Sequence, residues 1–134
     1  MVARSGPVKL AIAGLGAIGL PVARRVDAGD VPGLALVAVS VRDEAKARKA
    51  MAGFRRPPPL LGLAALADAA DVIVECLPSA HFIEVAEPAV TRGRIFMPLS
   101  VGALPASPPH PKRVPIAVAT MSVPNVRIAP PVVC

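Results

Sequence analysis

The 134-residue sequence predicts an α/β fold, a doubly wound parallel sheet with helices on both faces, on three observations. Short apolar, β-prone runs recur at residues 8–13, 34–40, 72–76 and 94–99. Stretches with helical spacing lie between them, which is the alternation that builds a parallel sheet. The first run, VKLAIA, enters the glycines Gly14, Gly16 and Gly19 in the spacing G-x-G-x-x-G, just before the first helical stretch. Strand, glycine turn and helix in that order make the first βα turn of a Rossmann-like dinucleotide-binding fold.

The three glycines have separate physical tasks. Gly14 lets the backbone turn at the strand end in a conformation that a β-carbon opposes. Gly16 lets the main chain come close to a pyrophosphate, and Gly19 lets the new helix lie close against the first strand. The unpaired N–H groups of the first helical turn, at Ala17 and Ile18, then face the phosphates with the positive end of the helix dipole behind them. The same spacing also occurs in glycine-rich turns that bind nothing. Here the preceding strand and the position near the start of the chain favour the nucleotide.

In chain order, a helix is expected after Gly16 through about Ala28, with Ile18, Val22 and Val26 recurring at intervals of four. Pro21 cannot donate to the carbonyl of Ala17, so a local distortion is expected near the helix start. Asp30-Val-Pro-Gly33 reads as a turn. LALVAVS at 34–40 is a continuous apolar run suited to a buried parallel strand. In an NAD site an acidic residue about 20 positions beyond the glycines accepts hydrogen bonds from the ribose hydroxyls. Here that neighbourhood reads Ser40-Val41-Arg42, and Asp43 is better placed to cap the next helix. A hydroxyl and a guanidinium at a strand end suit a 2′-phosphate, so NADP is expected to be accepted alongside NAD. The other reading of Arg42 is a solvated loop charge.

A second helix is expected from Asp43 to Phe54, ended by Pro57-Pro58-Pro59. Leu60 and Leu61 are expected to form a short third strand, and Leu63 to Asp68 a brief helix. VIVEC at 72–76 is the fourth strand. Its Glu75 either sits at the ligand crevice or is a satisfied buried carboxylate without chemistry. Leu77, Pro78 and Ser79 form a loop on the carboxyl edge, where such sheets place their ligands. Ser79 is expected to cap a helix over 80–86, with Pro88 in the first turn of a following helix up to Arg92. His81 reads as an exposed helix residue more readily than as a catalytic base. The fifth strand is expected at Arg94–Leu99, and Ser100 to Leu104 returns to the carboxyl edge. The expected strand order is 3-2-1-4-5, with right-handed crossovers.

Composition removes several classes of function. The chain is 54% hydrophobic, which argues against disorder, and its core must be mainly Ala, Val, Leu and Ile because Phe54, Phe82 and Phe96 are its only aromatics. The net charge of +6 raises the question of nucleic acid. Residues 1–104, however, carry 12 Lys/Arg against 9 Asp/Glu, in scattered pairs with no interleaved aromatics to stack on bases. No nucleic-acid partner is expected. Leu10 to Ala23, after Arg4 and Lys9, has the outline of a signal peptide, but its spaced glycines and the domain-like pattern downstream set it apart. It is also shorter than the roughly 20 apolar residues that span a bilayer. Two cysteines, Cys76 and Cys134, make no disulfide framework, and with His81 and His110 they lack metal-ligand spacing. A reducing, cytoplasmic setting is expected.

The motifs GLGAIG, DVIVEC at 71–76, EPAVTRG at 87–93 and SVGAL at 100–104 resemble the nucleotide-binding domain of L-aspartate dehydrogenase, a domain shared with homoserine dehydrogenase. The likeness covers residues 8–104. It implies NAD(P)-dependent oxidation of the α-amino group of aspartate, or the reverse amination. It also implies that the glycine loop holds the pyrophosphate, that Ser40 and Arg42 face the adenosine ribose, and that Leu77–Ala80 and Ser100–Gly102 border the nicotinamide. Val41 stands where an acidic residue is usual, which again admits NADP.

The sequence therefore divides into a dinucleotide-binding domain over 1–104 and a tail over 105–134. The family's catalytic histidine and much of its substrate site belong to a second domain, and nothing in the sequence corresponds to it, so no catalytic residue is assigned. An amino-acid substrate is expected only where such a domain is supplied. The tail holds 8 of the 17 prolines, three basic residues and no acid, with a candidate strand at 114–120. It reads either as an extension packing on the sheet edge or as an out-of-frame continuation of a truncated enzyme, the second being favoured. A stand-alone nucleotide-binding regulatory module and an inactive remnant are the rival functions. The oligomeric state is left open.

Overall fold

A computed structural model describes residues 5–99. Its elements run β1 (Val8–Ala13), α1 (Gly19–Ala28), β2 (Leu34–Ser40), α2 (Glu44–Ala50), α3 (Leu66–Ala69), β3 (Val72–Glu75), α4 (Phe82–Thr91) and β4 (Ile95–Pro98), with single 3₁₀ turns leading into α3 and α4. The four strands form one parallel sheet in the order β2-β1-β3-β4. Ser100, Gly102 and the tail from Pro105, with its candidate strand, lie outside the described residues.

The five-strand order 3-2-1-4-5 is corrected at its outer edge. The third strand reduces to one parallel bridge between Val39 and Leu60. Val39 N–H donates to the Pro59 carbonyl at 3.1 Å, and Leu61 N–H donates to the Val39 carbonyl at 2.9 Å. The ladder cannot extend backwards because Pro57, Pro58 and Pro59 have no N–H to donate.

Period-2 alternation sorts each strand between two cores. Leu10 and Ile12 of β1, with Val39 and Val74, pack against Ala23 and Val26 of α1, Ala47 of α2 and Met51, its C-cap residue. Ala11, Ala13, Ala38 and Ile73 point the other way, against Leu66, Ala67 and Ala70 around α3 and Val85 and Ala89 of α4. Three of the four strand residues on that second face are alanines, so its helices approach the sheet closely. Phe82 and Phe96 close its outer end edge-to-face, with ring centroids 5.5 Å apart. On the first face, Ile95 and Met97 of the edge strand stay exposed.

Several helix boundaries differ from expectation. α1 begins at Gly19, later than expected, although Leu20 N–H already bonds the Gly16 carbonyl at 3.1 Å. Pro21 causes no break because it lies in the first turn of α1, where proline is tolerated. α2 ends at Ala50, before Phe54, and Asp43 caps it as expected, accepting from Lys46 N–H at 2.9 Å. The two helices expected around Pro88 are one continuous α4. Interior proline costs about 3 kcal/mol, and the burial of Val85 and Ala89 on either side offsets it. Ser79 does not cap that helix; His81 occupies the cap position. Among the described residues no helix is long and apolar enough to cross a membrane.

Gly19 fixes how closely α1 lies on β1: a β-carbon there would overlap the Gly14 carbonyl and come within 3.3 Å of the Ile12 side chain. Gly19→Ala is therefore expected to lower the midpoint of thermal unfolding sharply, read by circular dichroism. An unchanged midpoint would show that α1 can sit further from the sheet.

Candidate functional site

The carboxyl edge of the sheet is stitched together by main-chain bonds. Gly14 N–H donates to the Ser40 carbonyl at 2.8 Å, joining the ends of β1 and β2. Cys76 N–H donates to the Ala13 carbonyl at 2.9 Å, joining β1 to the loop after β3. Gly14 has φ +98, a left-handed conformation, and a β-carbon on it would lie 2.8 Å from the Cys76 carbonyl oxygen and 2.9 Å from Leu77 Cδ2. Sequence spacing thus brings three separate loops to one point.

Gly16 is different. It is exposed, and a β-carbon on it would meet no atom of the protein within 4 Å. Its main chain needs no glycine on the protein's own account. Among the described residues, the N–H groups of Gly16, Ala17 and Ile18 donate to no backbone or side-chain acceptor. Ile18, 55% exposed, sits at the N-cap of α1 with no side-chain cap bond, and the first turn holds no acidic residue. An apolar N-cap costs about 1 kcal/mol relative to Ser or Asp. The helix start is thus uncapped, cationic by its dipole and open to an anion. A diphosphate fits this cradle, whose open side a side chain at residue 16 would fill.

Beside the cradle lies a cavity of about 330 Å³, lined by Ser40, Arg42 and Glu44 after β2, by Leu60 to Leu63, and by Leu77, His81 and Glu84 after β3. Three expected site residues, Ser40, Arg42 and Leu77, meet here. Ser40 is almost fully buried and Arg42 exposed. Pro78 and Ser79 are exposed on the same loop but do not line the cavity. Ser100 and Gly102 fall outside the described residues.

Glu75 is fully buried at the end of β3, and its Oε1 accepts the Leu77 N–H at 2.7 Å. The carboxylate is a satisfied group beneath the loop that borders the cavity. Next to it, burial pushes the Cys76 thiol above its ordinary value of 9.0, and the Glu75 charge adds to the effect. Among the described residues no group of three or more His, Cys, Asp or Glu is placed to hold a metal.

Sequence reasoning missed Leu61, Leu63, Glu44 and Glu84 as cavity residues. Only Glu84 left a usable signal: it stands three residues after His81, the spacing that puts both on one helical face. His81 Nδ1 lies 3.0 Å from Glu84 Oε1, so the imidazole is engaged by an acid.

Fold and site together define a dinucleotide-binding α/β domain. Residues 14–113 match the family model described as homoserine dehydrogenase, NAD binding domain, and the chain belongs to this family. It is 47% identical over 100 residues to L-aspartate dehydrogenase of Bradyrhizobium diazoefficiens, a match covering 75% of this chain and 35% of that one. It is 42% identical over 95 residues to L-aspartate dehydrogenase 3 of Bordetella bronchiseptica, covering 71% and 35%. The chain thus spans about a third of the length of these curated relatives. Among solved structures, it superposes on apo scyllo-inositol dehydrogenase of Lactobacillus casei with a TM-score of 0.60 at 18% identity, over 72% of this chain and 29% of that one. For myo-inositol 2-dehydrogenase of Lactobacillus plantarum the TM-score is 0.59 at 23% identity, over 69% and 27%. These two likenesses are of fold.

The neutral thiol of Cys76 is favoured in the folded state, so its contribution to stability is complete below pH 9.0 and is lost as pH rises through the raised value. Alkylation of Cys76 by iodoacetamide, followed by peptide mass, is expected to stay slow at pH 8 and to rise only above pH 9. Rapid labelling at pH 7 would contradict a half-buried thiol held neutral beside Glu75.

Proposed function

We propose that residues 8–104 are the cofactor-binding half of an NAD(P)-dependent L-aspartate dehydrogenase. The observation that carries this reading is the open space over Gly16, next to uncapped N–H groups at the start of α1. The 47% identity to an L-aspartate dehydrogenase supports the substrate assignment. When bound, the nicotinamide exchanges a hydride at its C4 with the CH–NH₂ carbon of the substrate. The protein's part is to bind and orient. Gly16, Ala17 and Ile18 offer main-chain N–H groups to the diphosphate, with Gly14 and Gly19 setting the loop that presents them. Ser40 and Arg42 receive the adenosine ribose. Leu77, Pro78 and Ser79, with Ser100 and Gly102, border the nicotinamide. No residue over 8–104 is assigned to proton transfer, so the amino-acid substrate requires groups from outside that stretch. A count of two cysteines, too few for a disulfide framework, supports a reducing, cytoplasmic setting.

The end of β2 carries no carboxylate at Val41, while the Arg42 guanidinium lies exposed at the mouth of the cavity. This supports acceptance of a 2′-phosphate, so both NAD and NADP are proposed as ligands. The alternation of Asp and Glu elsewhere does not oppose it: Asp43 is occupied by its capping bond, and Glu44 pairs with Arg48 at 3.4 Å.

Calorimetric titration with NAD and NADP tests both parts of the proposal. Gly16→Val is expected to abolish binding of both dinucleotides without lowering the unfolding midpoint. Arg42→Ala is expected to weaken NADP about tenfold, as one charge-assisted bond would, and to leave NAD unchanged. Full binding by Gly16→Val would remove the diphosphate from the glycine loop. Equal losses for the two dinucleotides on Arg42→Ala would remove the 2′-phosphate role.

A further inference from the structure

The cavity beside the glycine loop has two kinds of wall. Leu60, Leu61 and Leu63 give it apolar sides, the His81–Glu84 pair gives it one polar side, and Ser40, Arg42 and Glu44 give it another. At about 330 Å³ it is at the small end of the range for ligand sites. It therefore suits one base and not a whole dinucleotide. Arg42 comes from the loop after β2, whereas His81 is the N-cap residue of α4 and Glu84 lies in its first turn, so contacts to the ribose and to the base rest on separate elements. An apolar slot with a few fixed polar groups is the usual form of a heterocycle site.

The polar wall also has a definite sense. A carboxylate only accepts hydrogen bonds. In the tautomer whose Nδ1–H donates to Glu84 Oε1, 3.0 Å away, Nε2 of His81 is left as an acceptor. The pair then offers acceptors and no donor. A 6-aminopurine presents an exocyclic amine that donates to such a wall. A 6-oxopurine presents an oxygen at the same position, which is repelled by it.

We propose that Glu84, held by His81, is the specificity-determining residue for the adenine base, selecting 6-aminopurine over 6-oxopurine dinucleotides. This rests on the cofactor assignment above and adds the part of the ligand that α4 reads. Glu84 is exposed, with its side chain at 59% of full accessibility, so its replacement leaves the packing of α4 intact. The Val85 and Ala89 face, on the other side of the helix, is what docks it to the sheet.

The test is calorimetric titration of the full chain at pH 8 with NAD and with nicotinamide hypoxanthine dinucleotide, which differ only at the purine 6-position and its tautomer. The wild-type chain is expected to bind NAD about tenfold more tightly, the factor of a single hydrogen bond to a charged group partly open to water. Glu84→Ala is expected to weaken NAD and bring the ratio close to one, with an unchanged unfolding midpoint. Glu84→Gln, whose amide can donate as well as accept, is expected to strengthen the hypoxanthine dinucleotide relative to wild type. Equal wild-type affinities, or a ratio unmoved by Glu84→Ala, would overturn the proposal while leaving the cofactor assignment standing. Failure of both dinucleotides to bind the folded wild-type chain would overturn both.

Discussion

The closeness of α1 to β1 governs the rest of this domain. With no side chain at Gly19, the first turn of the helix drops against the Gly14 carbonyl and the Ile12 side chain. That seating aims the helix start at the carboxyl edge of the sheet. The same turn brings Gly14 against Cys76 and Leu77, so the loops after β1 and β3 share one boundary. The anion cradle and the adjoining cavity both follow from this contact. The cradle is left without a protein cap because Ile18, not a Ser or Asp, stands at the helix start.

The two halves of the sheet inherit their asymmetry from crossover handedness. Moving from β1 to β2 places α1 on one face, and moving from β3 to β4 in the opposite direction places α4 on the other. Large residues of β1 face the first set of helices and alanines face the second. One result is that β4 shows Ile95 and Met97 to solvent at the outer edge of the first face, beside α1. At the far edge, three prolines stop the sheet from adding a full strand beyond β2.

Much of this was legible in the sequence because it rests on local rules. The glycine spacing, the four main strands, the Asp43 cap and the loops on the carboxyl edge each depend on a few neighbouring residues. The errors came where tertiary packing overrode a local signal. Pro88 reads as a boundary, yet α4 runs through it because Val85 and Ala89 are held against the sheet. Leu60 and Leu61 have strand propensity, but prolines before them and Gly62 after leave room for one bridge. Glu75 could be read as a crevice acid or as a buried structural group; its bond to Leu77 N–H makes it a support for the loop. Of the cavity only Ser40, Arg42 and Leu77 could be read, since it joins residues from three stretches of chain that no spacing connects.

The central claim is that main-chain N–H groups just beyond β1 receive a diphosphate. Amide proton–nitrogen spectra of ¹⁵N-labelled protein, recorded as NAD is added, address those groups one by one. The account predicts large, saturable shifts at Gly16, Ala17 and Ile18, with smaller ones at the ends of β2 and β3. Saturation of binding with these three amides unmoved would contradict it.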